Sequence, residues 1–173
     1  MKRNIFLWEL FGFAVSSVLG TLLHFLYEWT GTRAWAVVSA VNESTFEHMK
    51  LFFWPTFVFA VVQSFFFRGY GSFWCVKLRE ILLGLILIPT LFYTYNGVIG
   101  KSPDLVNIAI FFISAAIAYI YGARRLGRED VVCKAERLSF FILCVIALLF
   151  VVFTFYTPHI DLFKDPMTGG YGI

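Results

Sequence analysis

Apolar residues in this chain run in long blocks, not with the two-residue alternation of a half-buried strand or the narrow stripe of a soluble helix. Five blocks approach or reach the roughly 20 residues a helix needs to cross a bilayer core. They are Ile5 to Tyr27, Leu51 to Phe67, Ile81 to Ile99, Leu105 to Tyr121 and Leu138 to Tyr156, and the second and third contain no charged residue. Inside lipid the backbone has no water to bond to, so each block is predicted to be helical. The pattern therefore predicts an all-α polytopic membrane helix bundle of five transmembrane helices, forming a single domain over 1–173. A shorter apolar stretch, Ala34 to Val41, lies between the first two spans. It is too short to cross and is expected to form a short interfacial or re-entrant helix with Trp35 at headgroup level.

Local signals punctuate these blocks. Ser102-Pro103-Asp104 reads as a helix start, with Ser102 as the cap and Pro103 in the first turn, and Gly97 and Gly100 bracket the preceding turn. Pro55 and Pro89 fall inside the second and third spans, where each removes a backbone hydrogen bond and favours a kink. No internal repeat is visible, and five spans do not divide into equal halves, which disfavours an inverted-repeat transporter within one chain.

Composition sharpens the class. The chain is 60% hydrophobic and 14% charged, with a mean hydropathy of +0.78. A soluble domain is nearer half apolar and a quarter charged, so the composition excludes one. The net charge of +3 reads as orientation rather than as a nucleic-acid footprint. Segments Met1–Asn4, Arg68–Glu80 and Ala123–Arg137 hold ten basic residues, against four in the intervening loops and the tail. Basic residues favour the cytoplasmic side, which predicts a cytoplasmic N-terminus and an extracytoplasmic C-terminus. The mixed-charge loop Ala123–Arg137 is expected to be a solvated hairpin near anionic headgroups. The start resembles a signal peptide, but its apolar run is long, carries Glu9 and His24, and lacks a small-x-small cleavage site before Trp29, so it is read as a retained helix. Cys75, Cys133 and Cys144 form no CxxC and are read as ordinary thiols without a disulfide framework.

Candidate chemistry concentrates in Asn42-Glu43-Ser44-Thr45-Phe46-Glu47-His48-Met49-Lys50, at the outer entry to the second span. Charges beside a membrane helix are costly to desolvate and tend to be paired or functional. Ser44 and Glu47 fit a capping box, and Glu43 gains from the same helix dipole. His48 and Lys50 are left unexplained by capping. On the first span, His24 and Glu28 share a helical face near the outer surface. The ligand-binding candidates are thus His24, Glu28, Asn42, Glu43, Glu47 and His48, with His159 and Asp161 from a tail over 157–173 expected to pack on the outer mouth of the bundle. His24, Glu47 and His48 are the candidates for a divalent metal ion, because imidazole and carboxylate donors suit zinc. No HExxH accompanies them. Asn42-Glu43-Ser44 also has the form of a glycosylation sequon, too close to the membrane to favour modification. Tyr93, Tyr95 and Asn96 either line this pocket or form an aromatic belt. At the inner side, Glu9 and Arg79 are expected to form a structural ion pair, with Glu80 competing.

Two segments carry a resemblance. Val41 to Leu51 reads V-N-E-S-T-F-E-H-M-K-L, and Leu162 to Ile173 reads L-F-K-D-P-M-T-G-G-Y-G-I. Both resemble motifs of the DUF6512-like family of small uncharacterised prokaryotic integral membrane proteins. The resemblance spans the whole chain. It implies a multi-pass protein of a prokaryotic plasma membrane in which the two motifs belong together, and it transfers no activity.

Three functions fit these residues. The first is binding or transport of a cation or small polar ligand in an outer-face polar pocket. The second is an intramembrane acid/base or metal-assisted hydrolase acting on a lipid-like substrate, with histidine and carboxylates as proton-transfer groups but no GxSxG nucleophile. The third is a structural or accessory membrane subunit. The expected partners are the lipid bilayer, a small-molecule or cation ligand and a second copy in a homo-oligomer, with no nucleic acid.

Overall fold

A computed structural model describes residues 2–67, 70, 72–100, 103–126, 128 and 133–173. Five α-helices follow one another: α1 (Lys2–Thr30), α2 (Thr45–Phe66), α3 (Phe73–Ile99), α4 (Asp104–Leu126) and α5 (Glu136–Phe155). By length and composition four of them, α1, α2, α4 and α5, are apolar enough to cross a membrane. Short connections make the helices alternate in direction, so their ends gather at two faces. The upper end holds the start of α2, the first loop and the tail, and the lower end holds the start of α3 and the end of α4. α3 packs against α2, α4 and α5, while α1 packs against α2 and α4. Ser102, the expected cap of α4, lies outside the described residues, as do Arg68, Lys101, Glu129 and Asp130 of the loops.

The helix faces follow residue size more than polarity. Gly12, Ser16 and Gly20 recur every four residues on α1 and all are buried. A Cβ at Gly20 would lie 3.0 Å from the carbonyl oxygen of Leu51, so glycine there lets α1 and α2 approach closely. The core between helices is aromatic and aliphatic, built from Phe46, Phe52, Phe53, Ile81, Leu85, Leu143 and Phe150. The outward faces carry exposed Phe11, Val18, Phe65, Ile86, Ile113 and Leu148. A soluble protein rarely shows so continuous an apolar surface, whereas lipid accepts it. Both α2 and α3 continue through their prolines.

Three features differ from the sequence-based expectation. The Ala34–Val41 stretch forms only a single 3-10 turn, Trp35–Val37, instead of an interfacial or re-entrant helix. Ser39 holds this turn against α1: its hydroxyl donates to the Leu23 carbonyl and accepts the Tyr27 N–H at 2.8 Å. The capping box does not form either. Ser44 stands at the N-cap in an extended conformation but makes no side-chain cap bond, and its own N–H donates to Asn42 Oδ1 at 2.9 Å. Glu47 instead reaches Lys50 and the Val41 N–H. Finally, Cys75 and Cys133 are joined as a disulfide with Cα atoms 6.4 Å apart, and Cys144 stays free. Their separation of 58 residues is bridged because α3 and α5 begin at the same end of the bundle, a proximity that linear spacing does not reveal.

The tail is ordered by its own turn. A 3-10 turn, Asp161–Phe163, inserts Phe163 against Phe46 and Phe153, with ring centroids 4.4 and 5.7 Å away. Asp165 then accepts from the Met167 N–H at 2.8 Å and the Thr168 hydroxyl at 2.7 Å, closing a loop that returns through Gly169 at a φ of 74°. Asn42 Nδ2 donates to the Gly172 carbonyl at 3.0 Å. The two motif segments are thereby tied together at the upper end.

Candidate functional site

The last turns of α1 and the entry to α2 bring three donors to one place. His24 faces inward near the top of α1, Glu43 stands in the loop just before α2, and His48 lies in the first turn of α2. The Nε2 atoms of His24 and His48 lie 3.6 and 3.7 Å from the same oxygen, Glu43 Oε2. One ligand atom from each of the three residues lies within 4.8 Å of the others. The two histidine–carboxylate distances are a few tenths of an Å wider than the roughly 3.3 Å edge of a tetrahedron with bonds of about 2.0 Å.

Orientation and charge favour ligation. His48 Nδ1 lies 3.0 Å from the Ser44 carbonyl, so it is the protonated nitrogen and Nε2 presents its lone pair to the cluster. Contact with His24 is the main cause that holds the Glu43 carboxyl below the usual carboxylate range, and the charge of the His48 ring adds to it. Partial burial works in the opposite direction and loses. Glu43 is therefore anionic at neutral pH. Once their protons leave, the two imidazoles join the carboxylate as donor types that zinc accepts.

Below this cluster opens a cavity of about 560 Å³ between α1, α2, α3 and α4. Its walls are mostly apolar, including Leu51, Ile88, Phe92, Ile108 and Phe111, and Pro166 and Met167 of the tail close one side. Asp104 and Asn107 of α4 are polar exceptions on its wall; the sequence marked Asp104 only as part of a helix start. The cavity lies beside the imidazoles and Glu43, so its apolar walls adjoin a polar end.

The other candidates take different places. Glu47 is not part of the metal-type set. Its carboxylate meets Lys50 Nζ at 2.5 Å and accepts the Val41 N–H at 3.1 Å. Lys50 Nζ also donates to the Ala36 carbonyl at 2.7 Å and to Thr154 Oγ1 at 3.3 Å. The pair thus ties the first loop to α2 and α5. Asn42 is engaged by Gly172 and Ser44, so its amide is structural. Glu28 remains exposed at the end of α1. His159 stacks near Tyr171 at 4.7 Å and lines a separate cleft with Arg33 and Thr157. Asp161 is exposed and contributes its carbonyl to Tyr93 OH at 3.0 Å. Glu9 is held not by Arg79, which is exposed, but by Lys77, whose Nζ lies 2.7 Å from Glu9 Oε2. Residues 77 and 79 point to nearly opposite sides of a helix, so only one of them can face the bundle.

The sequence model described as a family of unknown function, DUF6512, matches residues 2–173, so the chain belongs to that family. No curated protein matches the chain. No solved structure matches it.

Proposed function

We propose that this member of the DUF6512 family binds a divalent transition metal, zinc foremost, through His24, Glu43 and His48, and holds the polar head of an amphipathic molecule at that metal. The observation that carries this reading is the convergence of two imidazole Nε2 atoms on one carboxylate oxygen at the mouth of a mostly apolar cavity. Three protein ligands leave a tetrahedral ion one free position, as in sites that bind exchangeable ligands. Apolar walls then accept an acyl or similar body. In this reading all five helices cross the membrane, and the concentration of basic residues at the lower end puts the N-terminus in the cytoplasm and the metal at the extracytoplasmic surface. Hydrolysis of a lipid-like ester is the second reading, favoured by Asp104, a carboxylate on the same cavity wall that can serve as a general base.

The test is metal content. Protein purified in mild detergent without chelator, then loaded with zinc and desalted, should retain about one ion per chain by elemental analysis, the stoichiometry of a single three-ligand site. Glu43→Gln and His48→Ala should lose it, while Glu47→Gln should keep it. Wild-type protein that retains no zinc, or ligand variants that retain as much as wild type, would end the proposal. Release of fatty acid from a lipid ester by the zinc-loaded protein, abolished in Asp104→Asn, separates hydrolysis from binding alone.

A further inference from the structure

A second polar cluster lies in the lower half of the bundle, apart from the metal-type set. Lys77 Nζ donates to both oxygens of Glu9 at 2.8 and 2.7 Å and to both oxygens of Glu80 at 3.1 and 2.9 Å. Gln63 Nε2 donates to Glu9 Oε1 at 2.8 Å. Glu9 is 1% exposed, and Gln63, Lys77 and Glu80 are each 0% exposed. A layer of apolar residues seals the cluster from the lower end. Ile5 lies one turn below Glu9, Phe67 one turn beyond Gln63, Leu126 one turn beyond Gly122, and Phe73 and Val76 precede Lys77, and all five are buried together.

The charges do not balance. Two carboxylates face one ammonium, which leaves a net negative charge in a dry interior if both are ionised. Burying an uncompensated ion is expensive, and buried groups avoid it by changing protonation. Among the described residues, no second cation bonds to the cluster. The titratable groups that face it are Glu9 from α1, Lys77 and Glu80 from α3 and Tyr119 from α4, whose ring lies 5.6 Å from Lys77 Nζ. Gln63 is the neutral contribution of α2, and the arginines at the end of α4 point outward. Tyr119 keeps its hydroxyl on Ser16 Oγ at 2.6 Å, so it offers no charge.

The donors are unequally shared. Glu9 receives Lys77 and the Gln63 amide through three short bonds, as an ionised carboxylate does. Among the described residues, Glu80 receives the two longer bonds from Lys77 and lies against the Glu9 carboxyl. Its Oε2 instead crowds Gly122 of α4, where a Cβ would also lie 3.1 Å from Glu9 Oε2, so the two carboxyls meet around one glycine. Gln63 Oε1 is buried and has no hydrogen-bond partner, so the cluster contains an acceptor that awaits a proton donor. A carboxamide can present either its NH₂ or its carbonyl, and so can answer a neighbouring carboxyl in either protonation state.

We propose that Glu80 is a membrane-embedded proton-binding residue, which holds one proton beside the Lys77–Glu9 ion pair. Embedded carboxyls that carry protons are characteristic of proton relays, and the apolar seal makes exchange depend on opening of the lower end. The proton neutralises the cluster as a whole, and its loss leaves the second carboxylate without a cation of its own.

The experiment is difference infrared spectroscopy on the full chain in lipid nanodiscs, with thermal unfolding alongside. Wild-type protein at neutral pH should show the carbonyl stretch of a protonated carboxylic acid, and Glu80→Gln should remove it. Glu80→Gln mimics the neutral acid and should keep the wild-type unfolding midpoint. Glu9→Gln removes the better-bonded anion and forces Glu80 to ionise in its place, and should lower the midpoint. The proposal is overturned if wild type shows no such band, if the band survives in Glu80→Gln, or if Glu80→Gln lowers the midpoint as much as Glu9→Gln. Should Glu9→Gln fail to fold, the band and the Glu80→Gln midpoint still decide the matter.

Discussion

Glu47→Gln separates a buried ion pair from a helix cap. As a capping residue Glu47 would be replaced almost without loss, because glutamine caps as well as glutamate at that position. The structure gives it another role. Its carboxylate is the anion for Lys50, which is 0% exposed, and the pair sits 2.5 Å apart. Removing one partner of a buried pair costs about 3–5 kcal/mol, because the remaining charge is left uncompensated. Lys50 keeps its bonds to the Ala36 carbonyl and Thr154 Oγ1, so two of its three N–H donors stay satisfied and the lower figure applies. In a domain of this size 1 kcal/mol shifts the unfolding midpoint by about 2–4 °C, so about 3 kcal/mol corresponds to a fall of roughly 6–12 °C. Thermal unfolding of detergent-purified protein, followed by intrinsic tryptophan fluorescence, measures this directly. The double variant with Lys50→Met should recover most of the loss, since an apolar side chain replaces the stranded charge. A midpoint within about 2 °C of wild type, equivalent to no more than about 1 kcal/mol, would refute the ion-pair account and return Glu47 to the helix cap.

Zinc retention should fall as the solution is acidified, because protons compete with the metal for His24 and His48, and recover on return to neutral pH; equilibrium dialysis at stepped pH measures it. Phe163→Ala should cost about 3–5 kcal/mol if the ring is as fully packed as its 4% exposure indicates, and limited proteolysis should then cut the tail that wild type protects. Alkylation under non-reducing, denaturing conditions should label Cys144 alone, and prior reduction should add Cys75 and Cys133; labelling of all three without reductant would contradict the disulfide.

Much of the architecture was legible because long apolar blocks have few ways to satisfy their backbones, and the five helices fall where those blocks do. The partners of individual charges were not. By sequence, Glu47 and not Glu43 is the carboxylate grouped with His24 and His48 for a metal. In the structure α2 begins only at Thr45, after an extended Ser44, so Glu43 belongs to the loop and turns toward His24 while Glu47 turns inward to Lys50. Ser44 stands at the N-cap as expected; what the linear sequence does not reveal is that Lys50 takes Glu47 and leaves Glu43 to the histidines.

The choice of Lys77 over Arg79 has a deeper cause. In a soluble helix the apolar stripe marks the face that turns inward. In a membrane helix lipid and core are both apolar, so hydrophobicity stops distinguishing them, and the exposed face of this bundle is as rich in Phe, Leu and Ile as its core. What does distinguish them is size and hydrogen bonding. On α1 the inward face runs Ile5, Glu9, Gly12, Ser16, Gly20, and on α4 it runs Ser114, Ala118, Gly122. Both stripes are small and polar at helical spacing, and both lead to the same place, since Glu9 and Gly122 meet at Glu80. On α3 the same spacing passes through Lys77, Glu80, Ile81, Gly84, Leu85 and Ile88 and leaves Arg79 outside. The small residues are therefore more than close-packing devices here. By letting the helices approach, they allow two carboxylates and one ammonium to share one buried space, a condition that favours a carboxyl keeping its proton.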